Sequence, residues 1–510
     1  MRFIVANRIS GSGSREAKRE QADRAEASLS LHTEIRRDNK PKSMAARRVL
    51  VVETDPADMP KLMAQFDGDV IVEPELPRYV AETRCSFLDE IVEQQGDHPS
   101  HAGLGTALDF EVLADGKGVP GAAVMVVLSS LVTGSQSTRL EMTTDGDGKV
   151  HTHYDSARFY PSLLAIEPKS CYWSLLVPSP ENGASVQLDH LPKVGPSAWW
   201  KQVAGQRSTD ETGGAGIKVG VIDTGLGPHP YLKHVKGLGA ITGKGDQMKP
   251  AATADVRSHG THVAGIIAAR PVAGSGDYDG IASGADVAAI RVFDAEGGAH
   301  QGDIAEAIDA MAQDFEADLI NLSLGSTEPS AIERDAVMAA FEVGCLAIAS
   351  AGNDRGAPPL FPAAYPETIA VSALGLLGTS PPNTIAGASA PIAPEAYSPY
   401  LGGLFVANFS NAGPPLICSA PGVGIISTVP TRPEVSAPYG VKNGTSMAAP
   451  IVTGALATVL AHDETYKALP RDATRATYAA QVLLAILRQL GIAQPLAGFG
   501  LVTAHMAPAV

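Results

Sequence analysis

Apolar and polar positions follow different rules in successive stretches of this chain. Up to about residue 46, polar and charged residues dominate. There SREAKREQADRAEASLS has helical spacing, but its apolar face is mostly alanine, so residues 1–46 are expected to be a flexible polar arm. From Arg48 the pattern reads strand, short helix, strand over RRVLVVET, ADMPKLMAQF and DVIVEPE. That places a small β-α-β unit within residues 47–105, where the polar residues 81–105 carry no assignment. Between Asp109 and Val177 the short apolar runs DFEVLAD, GAAVMVVLSS, TRLEMTTD, KVHTHYD and SLLAIEP are separated by the turn signals DGKG and DGDG. They predict a small antiparallel β-sandwich over residues 106–180. The DGDG turn lacks the full spacing and late glutamate of a calcium loop, and reads as a tight hairpin.

After the linker VPSPENG the period changes again. IKVGVID, DVAAIRVF, DLINLSLG and CLAIASAG are nearly continuous apolar strands. Between them HGTHVAGIIAA, DIAEAIDAMAQDF and ERDAVMAAFEVG read as helices, the second with Ile304, Ile308, Met311 and Phe315 at helical spacing. Strands buried on both faces and alternating with helices mean an α/β fold, a mainly parallel sheet with helices on both sides, over residues 190–510.

Composition narrows the function. The chain has 510 residues, 45% hydrophobic and 18% charged, which suits two or three domains with sizeable cores. A net charge of −16 leaves no excess of Lys and Arg for phosphates, which argues against nucleic acid as the main partner. Cys85, Cys171, Cys345 and Cys418 show no CxxC spacing, so no zinc site is expected; a Cys85–Cys171 bridge stays open. The run FIVA is too short for a signal peptide core, and no stretch has the apolar length to span a bilayer. The expectation is a cytoplasmic protein without a membrane span, or a secreted one if the start is misassigned.

Candidate chemistry stands at strand ends and helix starts. Asp223 closes IKVGVID, as a buried carboxylate that orients a histidine or as a turn cap. His259 and His262 open a helix three residues apart. A two-histidine zinc helix uses HExxH, and with no glutamate here the base reading is preferred to the metal one. Asn353 follows a strand in SAGNDRG, where an amide can donate to an oxyanion. Ser446 in NGTSMAAP begins an apolar helix, where unpaired N–H groups favour negative charge; alone it would read as an N-cap. A serine needs a base, the base needs an orienting partner, and the intermediate needs fixed donors.

The blocks VGVIDTGLGPHP, SHGTHVAGIIAA, NLSLGS, AIASAGND and NGTSMAAP, in the order Asp, His, Asn, Ser, resemble the subtilisin-like serine proteases over roughly residues 193–505. The resemblance implies Asp223 orienting His259, His259 as base and acid, Ser446 as nucleophile, Asn353 and the Ser446 N–H as oxyanion hole, and His262 as structural. It implies that Ser323, Leu324 and Gly325 pair with an extended peptide or protein substrate. It implies that these residues and Ser350, Ala351 and Gly352 wall the pocket for the residue before the scissile bond. Leu360 aligns with its floor, so small or medium apolar side chains are expected there. The family often binds calcium through an aspartate in HPDL; here HPYL places Tyr231 instead, and the loop PVAGSGDYDG offers only Asp277 and Asp279. No catalytic metal and no cofactor are expected. Residues 376–403 are extra to the family core and read as a surface loop.

Residues 48–75 resemble the propeptides that many subtilases carry, which makes the N-terminal region an expected intramolecular inhibitor and the protein an expected zymogen. Residues 109–177 resemble the carboxypeptidase-regulatory type of sandwich, an accessory module. A serine endopeptidase is the leading expectation. Its rivals are an acyl hydrolase or peptide ligase with the same triad, and a non-catalytic peptide-binding module.

Overall fold

Six residues at the amino terminus, RFIVAN, form β1 (Arg2–Asn7), whose side chains alternate between two cores. Phe3 and Val5 pack with Ala25 and Leu29 of α1 (Arg15–Leu29), and Ile4 and Ala6 face the other way. With β2 (Glu34–Asp38), β3 (Val49–Glu53), α2 (Met59–Met63) and β4 (Val70–Pro74), the strand completes an antiparallel sheet in the order β2-β3-β1-β4. Residues 1–46 are therefore no separate polar arm: they supply a central strand, a helix and an edge strand. The sparse apolar side of α1 suffices because Lys18 and Arg19 are also buried, Arg19 paired with Asp23. After this sheet the chain extends as β5 (Pro77–Val80). These features come from a computed structural model that describes residues 1–29, 33–41, 44, 46–64, 66, 68–80, 105–132, 137–205, 212–243, 245–296, 298–433 and 435–505.

Two small sheets follow. One is built from β6 (Thr106–Ala114), with the short β7 (Lys117–Gly118) paired to it; the other begins with β8 (Ala123–Ser130) and β9 (Thr138–Thr143). Strands β10 (Lys149–Tyr154), β11 (Phe159–Glu167), β12 (Leu175–Pro178) and β13 (Ala184–Gln187) complete them in the orders β10-β6-β13 and β12-β11-β8-β9. Inward residues such as Phe110, Val112, Val124, Val126, Val150 and Leu164 share one core, so the pair is a sandwich. It is not purely antiparallel: β13 lies parallel to β6, in a segment beyond the expected boundary at residue 180. Gly148 ends the DGDG turn at φ 79°, and a Cβ there would lie 2.4 Å from the Val112 carbonyl oxygen.

The rest is the α/β part. After the short α3 (Trp199–Val203) come β14 (Lys218–Asp223), β15 (Lys236–Thr242), β16 (Gly245–Gln247), α4 (His259–Ala268), β17 (Asp286–Arg291) and β18 (Ala299–His300). Then follow α5 (Gln301–Asp309), β19 (Leu319–Leu322), β20 (Leu324–Gly325), α6 (Ala331–Glu342), β21 (Leu346–Ser350), β22 (Thr368–Leu376) and β23 (Leu404–Val406). Next are β24 (Leu416–Pro421), β25 (Ile425–Thr428), β26 (Tyr439–Lys442) and α7 (Thr445–Leu460), and then α8 (Glu464–Ala468), α9 (Ala473–Ala485), β27 (Leu487–Arg488), α10 (Gln494–Ala497) and β28 (Leu501–Val502). The strands β15-β17-β14-β19-β21-β22-β24 run parallel in that order. One face packs against α4 and α7, the other against α5 and α6. The chain winds to one side of β14 and then to the other, which opens a crevice at the carboxyl ends of β14 and β19.

The remaining parts pack on this unit. Ile4, Ala6, Val49 and Ile71 of the N-terminal sheet share a core with Ile304, Ile308 and Val337 of α5 and α6. Buried Arg47 binds Asp309 and Asp335, and Arg37 binds Asp303 and Glu306. The sandwich rests on residues 376–403: Leu176 N–H donates to the Asn383 carbonyl at 2.7 Å, and Ile385 is buried with Val127 and Ala165. That stretch is thus a docking surface for the sandwich as well as a loop.

Candidate active site

Asp223 ends β14 in the crevice, and its Oδ1 lies 2.7 Å from Nδ1 of His259. Oδ1 also accepts from the Thr224 N–H at 2.6 Å, which fixes the carboxylate. Both side chains are buried. With Nδ1–H given to Asp223, Nε2 of His259 presents a lone pair and has no hydrogen-bond partner among the described residues.

The start of α4 is held by Asp255. It accepts from the N–H groups of Arg257 and Ser258 through Oδ1, and from the N–H and hydroxyl of Thr261 through Oδ2. Thr224 links this cap to the Asp223 strand, donating to Asp255 and accepting from the Gly260 N–H. Sequence reasoning passed over Asp255, although an aspartate just before a helix is a capping signal. His262, one turn on, meets the Ile425 and Gly440 carbonyl oxygens at 3.1 Å and so joins α4 to the β25–β26 pair.

Ser446 is the second residue of α7, which also packs against α4. Gly444 caps the helix at φ 150°, ψ 159°, a region open to glycine and closed to L side chains. Pro450 lies inside the helix and has no N–H for the Ser446 carbonyl four residues back. The Ser323 hydroxyl supplies that bond at 2.9 Å, and the Ser446 hydroxyl donates to the Ser323 carbonyl at 3.1 Å. This exchange ties the helix start to the strand edge. Asn353 is oriented by its carbonyl, which accepts from the Thr445 N–H at 2.9 Å and hydroxyl at 3.1 Å. Its buried Nδ2 has no hydrogen-bond partner among the described residues.

Leu324 and Gly325 form β20, and β5 lies antiparallel to it: Val80 opposite Leu324, Tyr79 opposite Gly325. On its other side β5 pairs with β18, Arg78 opposite Ala299. Ser350, Ala351 and Gly352 leave β21 beside this strand, and the Gly352 N–H donates to the Thr445 hydroxyl. Leu360 bridges the two walls. A Cβ on Gly325 would lie 2.9 Å from its Cβ, and one on Gly352 would lie 2.7 Å from its Cγ. The sequence-derived residues therefore converge on one crevice.

The family's calcium does not fit the residues present where that ligand set would stand. The Tyr231 hydroxyl donates to Asp277 at 2.7 Å, and the buried Lys201 ammonium is ion-paired with Asp279. Both carboxylates already have partners. Among the described residues no three His, Cys, Asp or Glu side chains form a metal-ligand group, and Cys171, Cys345 and Cys418 are free thiols; Cys85 lies outside the described residues. Among those residues no helix is long and apolar enough to cross a membrane.

The mainly parallel sheet with its crevice at the carboxyl ends of β14 and β19 is the α/β architecture of a hydrolase class that comparison with known proteins identifies. The chain belongs to the subtilase family, whose family model matches residues 214–499, and it is a subtilisin-like serine endopeptidase. It is 32% identical to the major intracellular serine protease of Bacillus subtilis over 337 residues, 64% of this chain and 91% of that one. It is 35% identical to Subtilisin Savinase of Lederbergia lenta over 246 residues, 48% of this chain and 77% of that one. To the minor extracellular protease Epr of Bacillus subtilis it is 35% identical over 238 residues, 46% of this chain and 31% of that one.

Proposed function

We propose that this protease hydrolyses peptide bonds through Asp223, His259, Asn353 and Ser446, under the control of its N-terminal region. The observation that carries the reading is the Asp223–His259 bond with Nε2 left open, in a crevice that also holds Ser446 at a helix start. The Ser446 hydroxyl turns from the Ser323 carbonyl to His259 Nε2, which takes its proton as Oγ attacks the scissile carbonyl. Asp223 stabilises the imidazolium. The Asn353 Nδ2 and the Ser446 N–H receive the oxyanion. His259 then gives its proton to the leaving amine, and water hydrolyses the acyl-enzyme by the same route reversed. No step calls on a metal or cofactor.

Substrate would lie along Ser323, Leu324 and Gly325. Leu360, seated between Gly325 and Gly352, leaves room for a small or medium apolar side chain before the scissile bond. A peptide-library profile dominated by Phe or Tyr at that position would sink this part of the reading. The position of β5 on β20 supports the N-terminal sheet as an intramolecular inhibitor whose tail fills the cleft. On this reading residues 1–80 are the propeptide-like part, the sandwich is an accessory module and the remainder is the peptidase unit. An intracellular site of action is favoured by the likeness to the major intracellular protease, though extracellular relatives match too.

The test compares the full chain with Ser446→Ala. The parent is expected to react with a fluorophosphonate probe, and the variant is expected to be silent. If peptide products match substrate mass plus water, the ligase alternative is excluded. A parent chain that stays unreactive even when β5 is weakened by Arg78→Ala would refute the protease mechanism at these residues.

A further inference from the structure

The residue of β5 held most firmly is charged. Arg78 is fully buried, and its Nε and Nη2 donate to the two carboxylate oxygens of Glu333 at 3.0 and 3.1 Å. Two parallel bonds from a planar guanidinium to a carboxylate are specific to arginine; a lysine makes only point contacts.

The local sequence alone would send Glu333 elsewhere. Ser330-Ala331-Ile332-Glu333 spells a capping box, in which the glutamate reaches back to the N–H of the capping serine. Half of the box forms: the Ser330 hydroxyl accepts from the Glu333 N–H at 3.2 Å. The reciprocal half does not, because the Ser330 N–H donates to the Tyr365 hydroxyl at 2.8 Å. Tyr365 also stands 3.1 Å from Glu333 Oε2. The carboxylate is thereby turned away from its own backbone, held at the start of α6, and aimed at the floor under β5. It is fully buried, and the described cation bonded to it is Arg78.

Register says which substrate residue this floor would meet. Val80 opposes Leu324, Tyr79 opposes Gly325, and Arg78 opposes Ala299 on the other side. A substrate strand in the same register places its next residue opposite Ser323, whose carbonyl accepts from the Ser446 hydroxyl. That residue carries the scissile carbonyl, so the side chain over Glu333 is the fourth on the amino side of the bond. From this geometry we propose that Glu333 and Tyr365 form a specificity pocket that selects arginine at that fourth position. The inference rests on the protease reading of the cleft and adds a substrate class to it: peptides with arginine fourth and a small residue first before the cut. Once β5 leaves, a carboxylate held at that floor requires a cation, and an apolar side chain there would leave it desolvated and unpaired.

The experiment uses the full chain, titrated with a fluorophosphonate probe so that active Ser446 is counted independently of any peptide. If the wild type is closed to the probe, Arg78→Ala, expected to loosen β5, takes its place. Fluorogenic peptides Xaa-Tyr-Val-Ala are then compared with Xaa as Arg, Lys, Leu or Ala. The kcat/KM for Arg is expected to exceed that for Leu and Ala at least about tenfold, with Lys between them. Glu333→Gln is expected to bring the Arg peptide down to the level of the Leu peptide. Equal rates for all four peptides on a probe-reactive chain would overturn the pocket and leave the protease reading standing. The Arg78–Glu333 pair would then serve only to anchor β5. Failure of both wild type and Arg78→Ala to react with the probe would overturn the protease reading beneath it.

Discussion

Two side-chain amide and hydroxyl placements decide the chemistry at the residue scale. Pro450 deprives the Ser446 carbonyl of its helical partner, and Ser323 fills that place while receiving the Ser446 hydroxyl. The Ser446 hydroxyl thus rests on the residue just before β20. Asn353 spends its carbonyl on Thr445, and its buried amide has no hydrogen-bond partner among the described residues. For Asn353→Leu the expected outcome is a fall in kcat of about 10²–10³-fold with little change in KM, measured on a peptide substrate. The same variant leaves the Thr445 N–H without its acceptor, which a thermal melt should register as a loss of about 1–3 kcal/mol. A large KM effect with kcat preserved would place Asn353 in substrate binding instead. Asp223, His259, Asn353 and Ser446 were all legible from short motifs, because each motif sits at a strand end or helix start. Glu333 and Asp255 were not, because an acid near a helix start has an ordinary capping explanation, and only the competing bonds show which acid takes it.

At the scale of elements, β18 pairs with β5, His300 opposite Pro77 and Ala299 opposite Arg78. His300 of β18 lies 3.6 Å from Asp303 and 3.9 Å from Glu75, which itself is paired with Arg2 at 3.3 Å. The nearby Asp303 carboxylate raises the His300 pKa, burial opposes it, Glu75 raises it further and Arg2 lowers it, with a net rise. Asp303, the largest influence, belongs to the peptidase unit, so the raised pKa is a property of the folded chain and not of docking alone. A base raised in that way stabilises the folded chain at pH below its unfolded pKa and loses the contribution as pH climbs through the folded one. His300→Gln should therefore lower stability to chemical unfolding on the acid side of that window, by about 1 kcal/mol or less. The difference should vanish above it; a difference flat with pH would show that His300 protonation does not contribute to stability.

Across the whole molecule, the N-terminal sheet and the sandwich grip different surfaces of the peptidase unit. The sheet lies over α5 and α6, where buried Arg47 bridges Asp309 and Asp335. Burial works against the Asp335 charge, but Arg47, the Ile9 N–H and the Ser10 hydroxyl outweigh it and its pKa is lowered, while burial of Asp309 prevails and its pKa is raised. The sandwich instead uses neutral contacts around Ile385. Ile385→Ala should cost about 2 kcal/mol or more in chemical unfolding while leaving peptide hydrolysis by the folded chain unchanged. A loss of kcat in that variant would mean that the sandwich reaches the cleft energetically.

The sequence by itself determined the α/β class and the order of the site motifs, because strand and helix periods and glycine-framed turns are local properties. It also marked five of the sandwich strands through their turns. It misread β1, since the short apolar run FIVA in polar surroundings carries no sign of the two cores it separates. What only the tertiary structure decided is where long-range partners stand. Arg78 and Glu333 are 255 residues apart, and Arg47 and Asp309 are 262 apart. A charged side chain looks solvated in sequence, and only folding reveals the buried partner that makes its burial tolerable.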